Sequence, residues 1–155
     1  MGFLKNLMGM GGAKSDSKKA EIRNIFNSNV EDGESYTVLA AMDLVYEKKL
    51  LKEIRIFYNY IIGYKDGDDP EIVILSTDHE LSSVEEPFYC KKSDCLKAEY
   101  NQQNGKFSIT HSTFGDKPVI FAIIASSAWG GYIIDVSYVD EFMPFMEFFQ
   151  NRFSK

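Results

Sequence analysis

The chain has 155 residues, enough for one domain with a real core and too few for two. Apolar residues make up 45% and charged residues 26%, an ordinary globular balance, and 12 Phe with 9 Tyr suit β-structure. The net charge of −6 divides as +3 over residues 1–30, −9 over 31–87 and zero over 88–155, so most of the chain repels polyanions and no nucleic-acid partner is expected.

Gly11-Gly12 and the polar residues to Asp16 read as a flexible joint in an N-terminal arm. A short helix is expected over 17–29, with Ile22, Ile25, Phe26 and Asn29 at helical spacing, and residues 1–30 are set apart from a domain over 31–155. Tyr36, Val38, Ala40, Met42, Leu44 and Tyr46 alternate as a long half-buried strand, with a turn beginning at Glu47-Lys48-Lys49. A second strand follows over 54–62, ended by the glycine-rich stretch 63–70. Residues 71–75 are apolar on both faces, as in a central or well-covered strand.

Residues 77–87 read as a polar loop and 88–91 as a brief strand. Residues 96–101 and 107–111 alternate around Asn104-Gly105, the hairpin signal of a two-residue turn. A strand is expected over 119–124, a loop around Trp129-Gly130-Gly131, and further alternation over 132–138. A helix over 140–153 closes the chain, with Phe142, Phe145, Met146, Phe149 and Phe153 on one face. Asp140 is the expected N-cap, or part of a capping box with Ser137, and Pro144 is placed near the first turn. Hairpin-length connections require antiparallel pairing, so the fold class is α+β, mainly antiparallel β, with seven or eight strands.

This order resembles the pleckstrin-homology-like fold, a partly open barrel plugged at one end by a C-terminal amphipathic helix. The likeness spans roughly residues 34–155, and the hairpin at 95–112 with a last strand near 118–124 is similar to the second sheet of bacterial members. The resemblance implies seven strands, so either 88–91 or 132–138 is surplus. The plain alternative is another α+β fold with helices on one face of a curved sheet.

Eukaryotic phosphoinositide-binding members carry a basic motif across the first strand turn. Here that place holds Lys48, Lys49, Lys52 and Arg55, a candidate anion cradle, although Glu53 stands where the motif wants a base. The bland reading is a solvated turn. Trp129 in its small-residue loop is a candidate partner anchor, or else folds back over the barrel rim. Phe3, Leu4, Leu7 and Met8, near Lys5, Lys14, Lys18 and Lys19, are candidates for membrane-surface contact. Position 6 is Asn, which departs from the myristoylation pattern that Gly2 invites.

Cys90 and Cys95 read as reduced strand cysteines, and no Zn set is expected with only His79 and His111 to join them. Asp66-Gly67-Asp68-Asp69 opens like a Ca²⁺ loop, but Thr77 stands where the bidentate Glu belongs. No nucleophile elbow or phosphate-binding glycine loop occurs, so neither an enzyme nor a cofactor is expected. The leading expectation is a non-catalytic cytoplasmic module that binds a protein or peptide. The alternatives are peripheral membrane attachment through the N-terminal arm, at the inner face, and an acidic inhibitor or immunity-type protein that captures a basic partner.

Overall fold

Successive hairpins build one curled antiparallel sheet. The computed structural model describes residues 2–125 and 131–155, with side chains from Ser15 onward except that of Phe114. The strands are β1 (Thr37–Lys49), β2 (Lys52–Lys65), β3 (Glu71–Thr77), β4 (Phe88–Lys91), β5 (Cys95–Asn101), β6 (Lys106–His111) and β7 (Val119–Ile123). They lie in the order β4-β3-β2-β1-β7-β6-β5, a half-barrel whose two meanders meet where β1 pairs with β7 at Ala41–Ile123 and Met42–Ala122. Helix α1 (Gly2–Asn29) precedes the sheet and α2 (Val139–Phe148) follows it.

Cross-paired residues share a face. On one face of β1–β2, Leu39, Ala41 and Ile62 point the same way as Tyr64, whose ring meets Phe145 at 5.1 Å and Phe148 at 4.7 Å in α2. The other face carries Val38, Ala40, Ile61 and Gly63, with the Phe26 ring of α1 lying directly over Gly63. Leu39, Ala40 and Ala41 are therefore buried in succession, where alternation predicted one wet face. The helix expected over 17–29 is present and its backbone is helical from Gly2. Ile22 and Phe26 are its buried stripe, continued by Val30 just past its end, while Asn29 stays exposed and returns its amide to the Ile25 carbonyl at 2.8 Å.

The plug helix carries a cluster of rings. Phe145, Phe149 and Phe153 are fully buried, and Phe107 of β6 meets both Phe145 and Phe149 at 4.9 Å. Phe148 is buried too, although the helical face drawn from the sequence omits it. It stands three residues after Phe145 on an adjoining strip of the helix and leans on Tyr64 and Phe153; the turn that follows, Phe149–Phe153, is π-helical. Asp140 lies in the first turn with Glu141, where both carboxylates favour the helix dipole, and Tyr138 precedes the helix without a side-chain cap. Pro144 sits inside α2. The C-terminal Lys155 pairs its backbone with Ala98 of β5, at 2.8 and 3.1 Å.

Several other boundaries differ from the sequence reading. The first turn lies at Leu50-Leu51, because Glu47, Lys48 and Lys49 continue β1 in register with Ile54, Glu53 and Lys52. β2 runs through Gly63 to Lys65, since Gly63 serves the close approach of Phe26 and not a turn. The β5–β6 loop spans four residues, with Asn101 paired to Lys106 and Gly105 at φ 71. Asn101 and Asn104 side chains accept the Gln103 and Lys106 N–H groups, which sets that longer loop. The surplus segment is 132–138: it buries Ile133 and Ile134 consecutively, so it cannot alternate, and it forms no strand. Residues 88–91 are the genuine strand β4.

Candidate docking surface at the β1–β2 hairpin

β1 and β2 are much longer than their neighbours. Pairing to β7 ends at Met42 and pairing to β3 ends at Asn59, so the seven pairs from Asp43–Tyr58 to Lys49–Lys52 continue alone. At about 3.3 Å per residue this is a prong of roughly 20 Å. An isolated two-stranded ribbon is marginal in water, so its root needs anchoring.

Two polar clamps supply it. Asp43, almost fully buried, accepts from Lys106 Nζ at 2.8 Å and ties one face to β6. On the opposite face, buried Asn59 donates to the Tyr132 carbonyl at 3.1 Å and accepts from the Ile134 N–H at 3.0 Å. The segment that the sequence offered as a strand thus crosses the prong's base, and Phe57 stacks on Tyr132 at 4.8 Å. Beside the root is an open pocket of about 440 Å³, lined in part by Tyr58, Tyr60, Ser76 and Thr77. Burial, and then Asp43, push the Tyr60 phenol up to about 12.

At the far end the loop residues Leu50 and Leu51 are 105% and 102% exposed, more open than any core-forming residue type should be. Leu50 also holds φ 53 while Leu51 does not, the pattern of a II′ loop, where glycine would be least strained. A bulky residue in that region costs about 1–3 kcal/mol, so folding preference does not explain it. Lys49 and Lys52 face each other just behind the leucines, Lys48 pairs with Glu53 in register, and Arg55 lies over the Tyr46 ring at 5.8 Å. The four predicted cations are therefore gathered on one hairpin end. They are four of the five basic residues in the acidic stretch 31–87. Lys48, Lys49 and Lys52 form no ion pair among the described residues. Sequence reasoning weighed the cations and passed over the two leucines between them, although Lys-Lys-Leu-Leu-Lys itself was the signal.

The other candidate residues lie elsewhere. Trp129 lies outside the described residues, as do the side chains of Phe3, Leu4, Leu7 and Met8. The acidic turn is engaged internally: Asp66 pairs with Arg152 at 2.8 Å, and Asp69 accepts from Ser93 Oγ at 2.6 Å. These bonds hold both carboxyls below their ordinary range. His79 sits 3.5 Å from Glu80 on the surface, and His111 packs edge-on against Phe88 while its Nδ1 accepts the Thr113 N–H. Among the described residues no three metal-ligating side chains converge, and no helix is long and apolar enough to cross a membrane.

Compared with protein-family models, curated proteins and solved structures, the chain gives no match.

Proposed function

We propose that the protein is a non-catalytic docking module that holds an anionic membrane surface through the tip of the β1–β2 prong. The observation that carries this reading is the pair Leu50-Leu51, fully exposed at the end of a rooted hairpin and backed by Lys48, Lys49, Lys52 and Arg55. Entry of two leucines into the acyl boundary contributes about 3–6 kcal/mol, at about 1.5–3 each. Each cation near an anionic headgroup layer adds about 1 kcal/mol, and long basic side chains keep their charge in water while the tip is buried. Glu47 and Glu53 offset part of that attraction, so attachment is reversible. The half-barrel with its closing helix is compatible with a pleckstrin-homology-like domain, which supports a scaffold role for the sheet and a working role for its loops.

The sequence offers Phe3, Leu4, Leu7 and Met8 as candidates for membrane contact, and their side chains lie outside the described residues; the exposed hairpin tip is what supports the present reading. Full-length protein is sedimented with vesicles of phosphatidylcholine alone and with added phosphatidylserine, at low and high salt. Binding to the anionic vesicles that salt weakens, that Leu50→Asp/Leu51→Asp abolishes and that deletion of residues 1–16 leaves in place is the expected result. Binding that follows the deletion and ignores the leucine changes would return the role to the N-terminal arm. No vesicle binding at all would overturn the membrane reading and leave a protein partner for the tip.

A further inference from the structure

The half-barrel has one seam. β4 and β5 are the two ends of the strand order, β4 paired to the strand β3 and β5 to the strand β6 with Lys155 bonded to Ala98 on its other side, and the single turn Lys92–Asp94 carries the chain from one edge to the other. Cys90 lies in β4 and Cys95 opens β5, so the only two cysteines flank this seam. Both are buried, at 0% and 2% exposure. Cys95 reaches the interior through a break in the β5–β6 register between Cys95 and Lys97, which leaves Cys95 and Ala98 inside and Leu96 and Lys97 outside. A bulge at a sheet edge re-aims a side chain in this way. Only Lys91 and the turn Lys92–Asp94 separate the two residues, so both buried thiols lie at one end of the seam.

We propose that Cys90 and Cys95 are a dithiol–disulfide site that locks the two edges of the half-barrel together when a small disulfide of the glutathione type is present. The neighbouring Cys95 and burial push the Cys90 thiol up, while Cys90 holds the Cys95 thiol down, with Lys155 nearby assisting. Cys95 is therefore the attacking sulfur. Its thiolate displaces one thiolate from the small disulfide and forms a mixed disulfide. Cys90, giving up its proton, attacks the Cys95 sulfur and releases the second thiolate. The protein dithiol loses two electrons and two protons, and the small disulfide leaves as two thiols. Access comes at β4, a four-residue edge strand whose local opening is easier than that of the core.

The reading is independent of vesicle binding and is tested on the full chain without denaturant. The protein is equilibrated in buffers of rising oxidised-to-reduced glutathione ratio, and thiol content, intact mass and melting midpoint are followed. Loss of both thiols with a mass lower by two hydrogens, no retained glutathione, and a midpoint raised by roughly 4–8 °C and restored by dithiothreitol are expected for so short a loop. Cys90→Ser should retain glutathione at Cys95 and show no such rise. Persistent adducts on the unaltered protein, thiols that resist oxidation at every ratio, or a lowered midpoint would each overturn the proposal.

Discussion

Gly63 shows how one residue can decide where a helix sits. A Cβ built on it would overlap the ring of Phe26, which is fully buried between α1 and the sheet. Overpacking of this kind costs about 1–3 kcal/mol and more where the ring cannot yield. Gly63→Ala should therefore lower the urea midpoint clearly, and Phe26→Leu should recover part of the loss in the double variant. Additive losses would mean that the two positions are not coupled. Buried phenols set a second, pH-dependent term. Tyr36 donates to the buried Glu71 carboxylate, and burial, reinforced by Glu71, raises its pKa; burial likewise raises Tyr64 and Tyr138 and takes Tyr60 from 10.0 to about 12. Above about pH 10 the unfolded chain releases phenolic protons that the native state keeps, so stability falls as pH rises through the folded values. Urea midpoints at about pH 11 should lie below those at about pH 8, and equal midpoints would refute the assignment.

At the level of elements, the closing helix is held to the sheet by ring-on-ring packing. Phe149 touches Phe107 at 4.9 Å, Phe153 at 5.6 Å and Phe145 at 6.0 Å, with no solvent exposure. Phe149→Ala should cost about 3–5 kcal/mol, read as a large drop in melting temperature; an unchanged midpoint would remove the plug assignment. This helix was legible in the sequence because phenylalanines that recur with a helical period mark out one apolar face. Its final π-turn was not, and Phe148 was passed over although it stands three residues after Phe145 in the regular helix. The long hairpin was half legible. Alternation gave both strands, but Glu47-Lys48-Lys49 looked like a turn because charge resembles turn chemistry, while Leu50-Leu51 carries no turn signal at all. Residues 132–138 misled in the opposite sense. Apolar residues at alternate positions there serve a segment held by Asn59, a contact made across the fold that local periodicity cannot express.

For the whole molecule, these pieces separate stability from the proposed work. The core runs from α1 through the two faces of β1–β2 to the rings of α2; its fully buried β1–β2 members lie on the root side of Asp43 and Asn59, and Phe57 of the prong leans on it. Beyond Asp43–Tyr58 the prong adds half-buried side chains such as Val45 and Ile56, but no further strand pairing. A hairpin kept only for stability would not need two fully exposed leucines or a strained Leu50. Replacing residues 48–53 by a tight Asn-Gly turn joining Glu47 to Ile54 therefore removes the tip while keeping the clamps at Asp43–Lys106 and Asn59. The shortened protein should melt within about 2 °C of the full chain, because changes away from buried features alter stability by about 0.5 kcal/mol or less. It should also lose vesicle binding. If it instead melts far lower, the prong belongs to the folding unit, and the loss of binding would say nothing about its tip. A stable, shortened protein that still sediments with anionic vesicles would move the contact to another surface.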